Sequence, residues 1–257
     1  MVVKKIYLLP NLVTTANFFC GVLSMILTVK GAYPFAAWLI ILAMIFDFMD
    51  GYLARLSNST SRFGVEFDSM ADLTTFGLAP TLLVYRFFLS DLGRLGIGVA
   101  FLFSVSTALR LARFNVQRHG EEKDSFTGLP SPAAAGVLVS TILVMHRYSL
   151  TSWAILPLGM ILLSYLMIST VKFSVLGAFG IHKRKPFVYL AAAVLFFVAI
   201  IFYSEICIFI GFIGYLGINL YNALFQKKKS DQSEINEIES DEDNNEILPY
   251  LADDDES

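Results

Sequence analysis

The chain has 257 residues, 56% of them apolar and 16% charged, with a mean hydropathy of +0.63. Soluble domains average about 45–50% apolar and about 25% charged, so composition excludes a disordered chain, a disulfide framework and most soluble enzymes. It points instead to a polytopic membrane protein, and the formal charge of −3 averages two unlike regions: residues 226–257 hold 12 of the 22 acids against three lysines, and the remainder is basic.

Apolar runs of about 17–25 residues recur along the chain, and a helix of about 20 residues crosses the hydrocarbon core. Eight spans are predicted, at 11–29, 34–56, 66–89, 94–115, 131–147, 151–170, 187–203 and 205–224. The runs lack the polar–apolar alternation of barrel strands, so the expected fold class is an all-α membrane helix bundle. The first run opens with Asn11, Thr14, Thr15 and Asn17 and has no small-residue cleavage site, unlike a signal peptide. Cationic residues set the orientation. With the N-terminus inside, 15 Lys and Arg fall on the inner side and four, Lys30, Arg86, Arg94 and Arg147, on the outer side. That asymmetry predicts both termini in the cytoplasm and a chain integral to the cell (inner) membrane. Cys20 and Cys207 sit in apolar runs and read as small core residues. Residues 1–225 are expected to form the membrane domain. Residues 226–257 cannot bury enough apolar surface to offset their ordering and are expected to be a disordered cytoplasmic tail. Lys227, Lys228 and Lys229 mark where the last helix meets anionic headgroups.

The second and third spans carry Asp47, Asp50, Glu66, Asp68 and Asp72. An acid in a membrane helix is costly and marks a functional site by default. Asp47 and Asp50 are i, i+3, and Asp68 and Asp72 are i, i+4, so each pair shares a helix face. A short polar turn, Leu56 to Arg62, makes the two helices antiparallel and brings all four carboxylates together. Two unit charges about 4 Å apart repel by about 4 kcal/mol at an effective dielectric near 20. Protonation relieves this in a proton relay; divalent cations relieve it in a metal site. An all-oxygen set suits Mg²⁺ or Mn²⁺, and two ions bridged by carboxylates suit phosphoryl chemistry. Glu66 lies off the shared face and reads as a structural or rim acid.

Asp47, Asp50, Gly51, Ala54, Arg55, Gly64, Asp68 and Asp72 meet every fixed position of the pattern D-x2-D-G-x2-A-R-x8-G-x3-D-x3-D. On these residues the chain resembles the CDP-alcohol phosphatidyltransferase family. The resemblance implies six helices around a cytoplasm-facing polar cavity, with the last two accessory. It implies transfer of a phosphatidyl group from a CDP-linked lipid to an alcohol, with release of CMP. By position, Asp47, Asp50, Asp68 and Asp72 would hold two ions, Mg²⁺ or Mn²⁺, and Asp72 would also be the general base. Gly51, Ala54, Arg55 and Gly64 would lie against the donor, CDP-diacylglycerol, with Arg55 suited to a diphosphate. Ser61 and the run Asn11 to Thr14 match further donor-contact positions, although short polar residues also cap helices.

Two more stretches, Leu109 to Asn115 and Phe126 to Gly136, resemble the branch of the family whose acceptor is L-serine; Ser169 to Phe173 is a fainter third. Arg110 and Arg113, at i, i+3, could bind a serine carboxylate bidentately; they read equally as inside-positive residues or donor-phosphate ligands. Gly128, Pro130 and Pro132 form a rigid turn into the fifth helix, and Ala133 to Gly136 is a small-residue packing patch. Gly211, Gly214 and Gly217 recur on the last helix as a packing or homodimer face. Rival readings are another acceptor in the same family, glycerol 3-phosphate or inositol phosphate, and a carboxylate-based ion transporter, against which the second half offers no inverted repeat of the acids. The expected partners are thus CDP-diacylglycerol, L-serine and membrane lipid, with no nucleic acid.

Overall fold

In a membrane every backbone polar group must be satisfied within the chain, and the described residues of the computed structural model meet this with helices alone. Those residues are 5–56, 61–119, 128–150, 154–169 and 204–222, and none of them is in a strand. The helices are α1 (Lys5–Val29), α2 (Tyr33–Leu56), α3 (Arg62–Asp72), α4 (Ala79–Phe87), α5 (Arg94–His119), α6 (Ser131–Tyr148), α7 (Ile155–Ile168) and α8 (Ser204–Asn222). Among the described residues, four stretches are long and apolar enough to cross a membrane: Asn11–Val29, Tyr33–Leu53, Arg94–Gln117 and Ser204–Asn222. α7 has 14 residues, about 21 Å at 1.5 Å per residue, and is shorter than the run 151–170 expected there. The expected span 187–203 and the acidic tail lie outside the described residues. The chain divides into two units, Met1–Gly214 and Tyr215–Ser257. In the second, Asn219 Nδ2 donates to the Tyr215 carbonyl at 2.9 Å.

α1 and α2 form a tight antiparallel hairpin. α1 ends where Gly31 N–H bonds the Thr28 carbonyl (3.0 Å) and Ala32 N–H bonds the Leu27 carbonyl (2.9 Å), the paired bonds that close a helix C-terminus. One stripe of α1, made of Asn17, Gly21, Ser24 and Thr28, is buried, and Ser24 Oγ donates to the Ala36 carbonyl of α2 at 2.8 Å. Small side chains on this stripe let the backbones approach. Away from the interior, Phe19, Ile26, Phe35, Phe48 and Phe101 are exposed. So much apolar surface is foreign to a soluble monomer and suits contact with lipid.

The expected third span, 66–89, is a helix interrupted in its middle. Between α3 and α4 the residues Leu73–Leu78 form a π-helical turn, closed by Ala79 N–H reaching the Thr74 carbonyl five residues back. Two causes converge. Pro80 in a continuous α-helix would clash with the carbonyl of Phe76, and widening the preceding turn relieves this. The turn is also held from both sides. Gly21 of α1 lies so close to Thr75 that a Cβ would overlap Thr75 Oγ1, and Thr75 Oγ1 donates to the Asn17 carbonyl at 3.2 Å. Opposite, Gly77 faces Thr107 of α5.

The turn into α6 is as rigid as its glycine and prolines suggest. Gly128 has φ +91°, and an added Cβ would run into the Met167 carbonyl oxygen at the end of α7. Leu129 N–H bonds the Leu166 carbonyl at 3.0 Å. Ala134, Ala135 and Gly136 are buried, and Gly136 lies directly against the Phe212 ring. Gly128→Ala is expected to destabilise the protein by about 2–4 kcal/mol, adding backbone strain to a clash with a carbonyl that cannot rotate away. The melting temperature in detergent checks it.

Candidate active site

Ser61 fixes the start of α3. Its backbone is extended (φ −112°, ψ 148°) and its Oγ accepts the Gly64 N–H at 3.0 Å, an N-cap that sets the rotational phase of the helix. That phase turns Asp68 and Asp72 toward α2. Carboxylate oxygens of Asp47, Asp50 and Asp68 all lie within 4.8 Å of one another. Asp72 joins them through Asp47, which lies within hydrogen-bonding reach of it. Asp50 is only 5% exposed, too buried for a solvated surface acid.

α1 braces both pairs. Thr14 Oγ1 donates to Asp50 Oδ2 at 2.8 Å, and Asn17 Nδ2 donates to Asp72 Oδ1 at 3.3 Å. Thr14 and Asn17 are i, i+3, so one face of α1 serves a carboxylate on each of the two acidic helices. α5 closes the opposite side. Arg110 lies within Coulombic range of Asp47, and its Nη1 donates to Ser131 Oγ at 2.8 Å. Asn115 and Ser69 exchange hydrogen bonds at 2.9 and 3.1 Å, fixing α3 beside Asp68.

Three carboxylates within 4.8 Å in an apolar bundle need cations or protons. The donors are all oxygen, with no His or Cys in the cluster, which fits a hard divalent ion such as Mg²⁺ or Mn²⁺ and does not fit zinc held by nitrogen and sulfur.

Of the positions expected to contact a donor, three meet at the start of α3. Asn11, Ser61 and Gly64 converge: a Cβ on Gly64 would sit 3.2 Å from Asn11 Oδ1 and 3.1 Å from Ser61 Oγ. Gly51 is exposed, with nothing within 4 Å of where a Cβ would be, so its backbone is open to a ligand. Thr14, expected beside the donor, donates to Asp50. Ala54 and Arg55 belong to α2, but their side chains lie outside the described residues. Arg113 shares α5 with Arg110, yet its Nη1 donates to the Ile168 carbonyl at 3.3 Å, at the end of α7. Glu66 is exposed and accepts from Asn115 Nδ2 at 3.5 Å, at the rim as expected. Asn17, Ser131 and the Ser69–Asn115 pair are site residues that sequence reasoning passes over. A signal for Asn17 exists: Asn11, Thr14 and Asn17 recur every third residue in a mostly apolar helix.

Comparison with known proteins agrees with this geometry. The family model for CDP-alcohol phosphatidyltransferase matches residues 7–165. A Helicobacter pylori CDP-diacylglycerol–serine O-phosphatidyltransferase is 35% identical over 241 residues, covering 90% of this chain and all of the relative. The Bacillus subtilis protein of the same name is 38% identical over 165 residues, 64% of this chain and 89% of the relative. An archaetidylserine synthase from Methanothermobacter thermautotrophicus is 37% identical over 174 residues, 67% of this chain and 72% of the relative. With the acid motif on facing helices and a match across most of the chain, this protein belongs to the CDP-alcohol phosphatidyltransferase family.

Proposed function

We propose that the protein transfers the phosphatidyl group of CDP-diacylglycerol to the hydroxyl of L-serine, giving phosphatidylserine and CMP. The observation that carries the reading is the meeting of Asp47, Asp50 and Asp68 within 4.8 Å, with Asp72 against Asp47, inside a family that performs this transfer. The names of the relatives support serine as the acceptor.

Asp47, Asp50, Asp68 and Asp72 would hold Mg²⁺ or Mn²⁺. When bound, such ions neutralise a diphosphate and stabilise the leaving CMP. Gly51, Ala54, Arg55, Gly64, Ser61, Asn11 and Thr14 would receive the donor: Gly51 leaves the backbone open, and an arginine suits phosphate oxygens. Thr14 holds Asp50 in place through its hydroxyl. Asp72 takes the proton of the serine hydroxyl, whose pKa is far above neutrality, so attack needs a base. The serine oxygen forms its bond to the phosphorus bearing diacylglycerol as the bond from that phosphorus to CMP breaks. Arg110, beside Asp47, is a cation within reach of the acceptor's carboxylate, and Arg113 follows it one turn on.

The same reading includes eight spans, both termini and the active site facing the cytoplasm, and residence in the cell (inner) membrane. Residues 1–225 form the enzyme, its first six helices catalytic, and residues 226–257 are an acidic appendage. Gly211 and Gly214 face open space, which suits a homodimer contact.

The test is head-group formation. Purified protein with CDP-diacylglycerol and Mg²⁺ is expected to release CMP with L-serine and not with glycerol 3-phosphate or inositol phosphate. Chelation is expected to stop release, and Mg²⁺ or Mn²⁺ to restore it. CMP release with glycerol 3-phosphate alone would reassign the acceptor.

A further inference from the structure

Asn17 is fully buried at the crossing of α1 with the end of α3. A buried amide is costly unless its polar atoms are paired. Its Nδ2 donates to Asp72 Oδ1 at 3.3 Å, and the backbone carbonyl of the same residue accepts from Thr75 Oγ1 at 3.2 Å. Its Oδ1 is sealed from solvent and has no hydrogen-bond partner among the described residues. Packing alone would favour an apolar side chain here, and an amide retained for fold stability would use both of its ends. Only the end facing Asp72 is used. The orientation follows from that partner, because a flipped amide would set Oδ1 against a carboxylate oxygen.

Asp72 needs such a support. It is the last residue of α3, and the π-helical turn begins at the next residue. Its other neighbour is the Asp47 carboxyl, which repels it when both are charged. A donor on Oδ1 holds the carboxylate against that repulsion and fixes the direction in which it points. We infer that Asn17 is a positioning residue for Asp72, retained at the expense of an unsatisfied acceptor in order to orient the base. The inference deepens the proposed function, since it rests on Asp72 acting as the base there.

The test uses full-length protein in detergent and compares Asn17→Leu with Thr75→Val. The second substitution removes the bond to the Asn17 carbonyl and leaves the amide side chain intact. For Asn17→Leu, kcat is expected to fall about 10- to 100-fold, the usual cost of losing a supporting hydrogen bond, with KM for both substrates within about threefold. Its melting temperature, measured in chelator, is expected to stay close to that of the parent, because removing the unsatisfied Oδ1 offsets the loss of the donor to Asp72. Thr75→Val is expected to keep kcat within about twofold, since the bond to Asp72 is untouched. If Asn17→Leu does not fold, Asn17→Ser is judged by the same kcat and KM criteria. Two results would overturn the inference: parental kcat in the Asn17 variant, or an equal loss of kcat in Thr75→Val, which would make the region a packing element. If the parent itself released no CMP from CDP-diacylglycerol and serine, the functional reading would fail first, and the role of Asn17 with it.

Discussion

Asp72→Asn is expected to lower kcat by about 10²- to 10⁴-fold, the usual contribution of a positioned general base. The substitution keeps side-chain volume and still offers an oxygen to Asn17 Nδ2, so the contact between α1 and α3 survives. What it removes is the capacity to accept a proton, together with one charge of the four-acid cluster, so turnover is compared at Mg²⁺ that saturates the variant. Under that condition KM for CDP-diacylglycerol should change little, because loss of a transition-state interaction falls on kcat. The measurement is steady-state CMP release alongside a melting curve. A cooperative melting transition with the expected fall at saturating Mg²⁺ assigns the proton transfer to this carboxylate, and parental turnover would remove it from the mechanism.

Asp50→Asn should separate stability from activity in the opposite sense. Asp50 is buried, and its oxygens lie close to those of Asp47 and Asp68. Without a cation, each charged pair at about 4 Å costs up to about 4 kcal/mol at an effective dielectric of 20. The substituted amide would still accept from Thr14 but carries no charge. In chelator the variant is therefore expected to melt above the parent. Added Mg²⁺ should reverse the order: at 100 times its dissociation constant a bound ion stabilises the parent by about 2.7 kcal/mol, and the variant, short of one charged ligand, should gain little. Turnover should be lost at every Mg²⁺ concentration at which the parent is saturated. Equal stabilisation of the two proteins by Mg²⁺ would exclude Asp50 as a ligand.

The acid cluster is legible in the sequence because helical spacing and a short reversal are local information. Asp47 with Asp50, and Asp68 with Asp72, need only the helix repeat to share a face, and the oxygens of three of them do meet. The turn at Gly128 is legible for the same reason. Partner choice is not. Sequence lines Thr14 up with the donor positions but gives no hint that its hydroxyl bonds Asp50, which depends on the α1–α2 hairpin. Arg110 and Arg113 look equivalent in spacing, yet one donates to Ser131 within Coulombic range of Asp47 and the other donates to the end of α7. About 100° of rotation per residue fans two side chains apart even on a shared face. The break in the third span is half legible. Pro80 announces a disturbance, but only the closeness of Gly21 to Thr75 shows how the chain absorbs it.

The widened turn at Leu73–Leu78 lets one span serve two neighbourhoods. By taking in one extra residue it offsets the buried face of α4 from the acidic face of α3 by about the 100° that one residue subtends. Asp68 and Asp72 can face α2 while Leu83 and Val84 pack into the bundle, two demands that an unbroken repeat of 3.6 residues would tie to a single phase.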